Sequence, residues 1–169
     1  NKQAYEMIRY AKDTGIPFIT TCTNGDPVQP EKLIECGLDE VNFQIGGMTQ
    51  ETHEVYRINS NLERILKALN ETIRLKRLLK SKIRILAGFI VMKHNEHEVG
   101  AFKKRMTDLG VDGISIINPC VRDMEQGKKF LPEDKMYWDY DVNAFNEGIL
   151  KPSFQPENKC DWIYYSLSI

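Results

Sequence analysis

The sequence predicts an α/β fold built as a run of strand-and-helix units. Short apolar runs of strand composition recur at residues 16–22, 41–45, 83–92 and 113–117. Amphipathic stretches of helical period separate them. Strands separated by helices imply parallel pairing through crossover connections. The near-continuous apolar character of the strands predicts a sheet covered on both faces.

Each element has its own signals. Residues 4–13 place Ala4, Met7, Ile8 and Ala11 on one helical face, and Gly15 ends that helix. The strand over 16–22 leads to an Asn24-Gly25-Asp26-Pro27 turn. Pro30 opens a short helix over 30–36, which Gly37 closes. After the strand 41–45 and Gly46-Gly47, a helix runs from Thr49 toward Arg57. A longer helix is predicted from Ser60, with Glu63 completing a capping box. Its apolar stripe is Leu62, Ile65, Leu66, Leu69 and Ile73, and basic residues fill its last turns. Asn95 and Glu98 read as an N-cap pair for a helix ending at Gly110. Residues 123–159 are polar, aromatic and proline-punctuated without clear period, and read as a connector. No internal repeat stands out.

Composition narrows the function classes. The formal net charge of -1 favours neither nucleic acid nor an anionic membrane as partner. The longest apolar runs are too short to cross a bilayer. The four cysteines, at 22, 36, 120 and 160, form no CxxC pair and no disulfide framework. Reduced thiols and a cytoplasmic location are expected, with Cys22, Cys36 and Cys120 as ordinary small buried residues. Neither GxGxxG nor GxxxxGK[ST] occurs. Element order alone does not separate a partial TIM-like barrel from a Rossmann sheet. Ligand chemistry in both lies at the C-terminal ends of the strands. Those ends are Thr23-Asn24-Gly25, Gln44 to Gly47, Met92 to Asn95, and Asn118 to Arg122. His53, His94 and His97 have no third ligand close in sequence, so surface or cap roles are expected of them.

Four ordered blocks narrow the reading further. They are Thr23-Asn24-Gly25, then "GLDEVNFQIGGMTQETHEVYR", then "GFIVMKHNEHEV" followed by "LGVDGISI", then "NKCDWIYYSLSI". Together the chain resembles, over essentially its whole length, radical S-adenosylmethionine (radical SAM) enzymes that carry a C-terminal SPASM domain. The resemblance implies a partial (β/α)6 TIM-like barrel over residues 1–122, covering about its third to sixth strands. A connector over 123–159 and the start of a SPASM domain over 160–169 would follow.

Such a barrel holds S-adenosylmethionine and a [4Fe-4S] cluster and makes a 5′-deoxyadenosyl radical that abstracts hydrogen from substrate. The family's CxxxCxxC loop and its Gly-Gly-Glu segment do not occur in this sequence and are expected before Asn1. The chain by itself is therefore expected to be inactive and to hold neither cofactor stably. The cofactor-binding positions implied are Thr23, Asn24, Gln44, Met92 and Asn118, with Cys160 as an auxiliary-cluster ligand. Gln44 stands where the family has Ser, and Gly46 where it has Asp. Each position also has a plain structural reading: a turn for Thr23 and Asn24, a satisfied barrel polar for Gln44, and a core filler for Met92. Arg57 is expected to anchor its helix by pairing with a carboxylate. Implied partners are a peptide, sugar or small-metabolite substrate and a ferredoxin or flavodoxin, with dimerisation through open strand edges. Two other readings are a non-catalytic truncated α/β barrel used for binding or assembly, and an aldolase-like barrel. Lys93 is the only lysine near a strand end for the latter.

Overall fold

The computed structural model describes residues 3–154. Four strands, β1 (Thr20–Thr23), β2 (Glu40–Ile45), β3 (Arg84–Ile90) and β4 (Gly113–Ile117), form one sheet in the order β1-β2-β3-β4, and every neighbouring pair is parallel. Helix α1 (Ala4–Asp13) precedes the sheet. Helices α2 (Pro30–Glu35), α3 (Gln50–Glu54), α4 (Leu62–Leu78) and α5 (Val99–Leu109) fill the crossovers. Beyond β4 come α6 (Met124–Phe130) and α7 (Val142–Asn146).

Alternation within the strands decides where the core lies. Val41, Phe43 and Ile45 of β2 and Ile85, Ala87 and Phe89 of β3 are buried against Leu33, Ile65, Leu69, Phe102 and Met106 from α2, α4 and α5. Phe89 and Phe102 meet with ring centroids 4.7 Å apart. Ile114 and Ile116 of β4 join the same face. The opposite face carries Cys22, Asn42, Gln44, Leu86, Gly88, Ile90, Ser115 and Ile117 in register. The strands thus divide their residues between a helix-packed apolar face and a mixed one, rather than burying both faces in apolar core. A doubly wound sheet reverses its strand order and sets helices on both faces. Among the described residues the strand order does not reverse.

Several boundaries differ from the sequence expectation for identifiable reasons. The first strand begins at Thr20, not residue 16, and Ile16 and Phe18 are exposed. Pro17 has no N–H for a ladder. The Ile16 amide still turns back to the Ala11 carbonyl of the preceding helix, and the Ile19 amide donates to Asp39 Oδ2 at 2.7 Å. Helix α4 is capped by Asn61, whose side chain accepts from the Arg64 amide at 2.9 Å. Ser60 instead faces His53. Asn95 does not cap its helix, and a 3-10 turn over Glu96–Glu98 leads into α5. The segment after β4 holds short helical turns, each opened by an aspartate cap: Asp123, Asp134 and Asp141.

A repeated device ties strands to helices. Asp39 and Asp112 each follow a Gly-hydrophobic pair, in Gly37-Leu38-Asp39 and Gly110-Val111-Asp112. Asp39 accepts from the Ile19 amide and pairs with Lys12 of α1 at 2.7 Å. Asp112 accepts from the Ile85 amide and pairs with Lys76 of α4. In both, burial raises the carboxyl pKa, but the lysine and the amide outweigh it and hold the group below its ordinary value. Gly37 and Gly110 both have positive φ, which lets each helix end abruptly before its aspartate.

Candidate functional site

The C-terminal ends of β2 and β3 are knitted together by buried polar groups. Asn95 is 1 % exposed. Its Oδ1 accepts from the Met92 amide at 2.7 Å, and its Nδ2 donates to Gly46 O at 2.9 Å and Ile90 O at 3.0 Å. Glu98 Oε2 accepts from the Met48 amide at 2.9 Å. The loop after β2 is thus held by the loop after β3.

His53 closes that loop from the other side. The Gly46 amide donates to its Nδ1 at 3.0 Å, so the ring proton sits on Nε2, which faces Ser60 Oγ at 3.1 Å. The side chain is fully buried, not the surface or cap residue expected. Burial first, then the Arg57 charge, pushes its pKa below the ordinary value and keeps it neutral. A Cβ on Gly47 would lie 2.5 Å from the His53 amide nitrogen, so only glycine lets α3 approach this closely. Arg57 forms no carboxylate pair among the described residues. Its Nε is buried without a partner, and its guanidinium lies 5.2 Å from the Tyr56 ring centroid.

A cavity of about 420 Å³ opens past the ends of β3 and β4. Ile90, Met92, Ile117 and Phe130 give it apolar walls, while Asn118, Arg122 and Gln126 bring polar groups to it. The segment after β4 is strapped against it. Tyr140 Oη accepts from the Val121 amide at 2.8 Å and donates to its carbonyl at 3.0 Å. Asn118 Nδ2 donates to Asp139 Oδ1 at 2.7 Å. Another cavity, of about 480 Å³, lies between α1 and α2 and involves none of the strand ends.

The structure brings together two of the expected cofactor residues, Met92 and Asn118, in one cavity lining. Gln44 is buried on the mixed face of the sheet and lies over Gly88, outside that lining. Thr23 Oγ1 accepts from the Gly25 amide at 3.0 Å, and Asn24 is exposed at the β1 edge. Cys160 lies outside the described residues. Cys22 and Cys120 are exposed rather than buried, because β1 is an edge strand and Cys120 lies beyond β4. Among the described cysteines only Cys36 is buried, and desolvation raises its thiol pKa. Among the described residues no group of three or more His, Cys, Asp or Glu is placed to hold a metal ion.

Sequence reasoning missed Asn42, Asn95 as a bridge, and Tyr140. Periodicity shows which strand residues share a face, but not which polar atoms on that face lack partners. No protein-family model matches the chain, and no curated protein matches it.

Proposed function

We propose that this chain forms the S-adenosylmethionine-binding half of a radical SAM barrel, its strands corresponding to about the third to sixth of a (β/α)6 arrangement. The parent activity would be hydrogen abstraction from a peptide, sugar or small metabolite, with electrons from a ferredoxin or flavodoxin. Four parallel strands in sequential order, with one helix-packed face, support that reading. The observation that carries it is the cavity past β3 and β4, which Met92 and Asn118 line together.

The lining suits an adenosyl group. Apolar walls from Ile90, Met92, Ile117 and Phe130 suit a heteroaromatic ring, and the Asn118 and Gln126 amides offer both donors and acceptors to its edge. Arg122 adds a cation at the rim. Bound there, S-adenosylmethionine would supply the adenosyl group for radical chemistry. The described cysteines do not fit the accompanying cluster: Cys22 faces the mixed side of the sheet, Cys36 lies in the core on the other side, and Cys120 follows β4. This chain's own part is to orient the adenosyl group and exclude water around it. Among the described residues no helix is long and apolar enough to cross a membrane.

The test is titration of S-adenosylhomocysteine into the 169-residue chain, followed by NMR of its methionine methyl groups. The Met92 methyl resonance should shift saturably, while that of Met136, exposed outside the cavity lining, should not. A Met92 signal that stays fixed at ligand excess would remove adenosyl binding from this cavity.

A further inference from the structure

The mixed face of the sheet holds a second polar feature, separate from the cavity lining. Gln44 of β2 is 8 % exposed, and its side-chain amide has no hydrogen-bond partner among the described residues. Two residues earlier on the same face, Asn42 Oδ1 is buried and accepts no hydrogen bond. Between them and β4, position 88 of β3 is glycine. A point one C–C bond above Gly88 lies 2.4 Å from Gln44 Nε2 and 2.8 Å from Asn42 Oδ1. The donor and the acceptor therefore sit side by side over position 88, and only glycine there lets the Gln44 amide cover it. Ser115 stands in register beside Gly88, and Cys22 beside Asn42.

The charge around this cradle is specific. The charged strand residues on this face are Glu40 and Arg84, which are in register and paired with each other at 2.8 Å at the opposite end of the strands. From Asn42 onward, the strands present only neutral side chains on this face, with Leu86, Ile90 and Ile117 as apolar neighbours. The strands themselves offer a charged ligand no counter-charge for the hydration it would lose. A buried acceptor without a donor carries a desolvation penalty, so an incoming N–H at Asn42 relieves it.

We infer that Asn42, Gln44 and Gly88 form a binding cradle for an uncharged group that carries a donor and an acceptor side by side, of the primary carboxamide type. Its N–H meets Asn42 Oδ1 and its carbonyl oxygen accepts from Gln44 Nε2. Gln44 leaves its resting place over Gly88 to admit it. This moves Gln44 from the cofactor to the ligand side of the strand mouths, and it holds whether or not the neighbouring cavity takes an adenosyl group.

The probe is acetamide, titrated into the isotope-labelled 169-residue chain and read from the Asn42 and Gln44 side-chain amide resonances. Both should move saturably in the millimolar range, as suits so small a ligand. Acetate should leave them in place. Asn42→Leu and Gln44→Met each keep the side-chain bulk while removing one polar partner, and each should weaken acetamide binding about tenfold. If one variant fails to fold, the other carries the comparison. A response to acetate equal to that for acetamide overturns the inference, as does the absence of saturable movement. Undiminished affinity in a folded variant overturns it too.

Discussion

At the scale of single residues, buried polar side chains hold the strand ends together. His53 shows this most clearly, because its Nδ1 must stay unprotonated to accept from the Gly46 amide. The folded ring is harder to protonate than the unfolded one, whose ordinary value is 6.5. Below that pH the unfolded state binds more protons, so the His53 contribution is fully present above pH 6.5 and is lost as the pH falls toward the folded value. His94 acts in the same direction: burial lowers its pKa, and its Nε2 is enclosed without a partner. Urea unfolding at pH 5.5 should therefore give lower stability than at pH 7.5, with the m-value unchanged. In His53→Gln the drop should shrink but not vanish, since His94 remains. A wild-type stability that is flat across this range would mean that neither ring is held neutral by the fold.

At the scale of elements, Asp39 and Asp112 carry the strand-to-helix junctions. Each joins a lysine from a helix to a backbone amide, that of Ile19 just before β1 for Asp39 and that of Ile85 in β3 for Asp112. The pairs are partly exposed, with side-chain exposures of 22 % for Lys76 and 33 % for Asp112, so solvent screens the charge and the amide bond dominates. Asp112→Ala should cost about 1–2 kcal/mol in urea unfolding, from the lost acceptor for the Ile85 amide. Asp112→Asn should cost less, because its side-chain oxygen can still accept. Equal losses in the two variants would assign the effect to charge. This device also marks what the sequence could reveal. The helix stripes over Leu62 to Ile73, the alternation in β2 and β3, and the glycine stops at 37 and 110 were readable, because burial imposes their periods. The aspartate repeat was present in the letters but is too short to stand out as a period. Asn95 looked like a cap because caps and bridges use the same side chain, and only tertiary geometry shows that its oxygen turns back to Met92. The pairing of Met92 with Asn118 followed from strand order. The Asn42–Gln44–Gly88 cluster did not, because it depends on a glycine in the neighbouring strand, separated in sequence by α3 and α4.

At the scale of the whole molecule, the sheet has two ends. Among the described residues β1 and β4 each pair on one side only. An unpaired edge offers backbone N–H and C=O groups to another chain, and natural sheets blunt such edges with charge, proline or covering segments. The β1 edge is weakly defended. Its four residues are Thr20, Thr21, Cys22 and Thr23, none charged, and Phe18 beside them is 53 % exposed. Beyond β4, Asp139 and Tyr140 tie the following chain back to Asn118 and Val121. Self-association should therefore proceed through β1. Light scattering of the 169-residue chain should show an apparent mass that rises with concentration from monomer toward dimer. Reducing agent must be present throughout, because Cys22 and Cys120 are exposed and could join chains covalently. Phe18→Lys combined with Thr20→Lys places like charges along the edge and should return the chain to monomer, without changing its helical content by circular dichroism. A monomer at every concentration would show that the β1 edge is covered in solution. Association that survives the double substitution would move the contact to another surface.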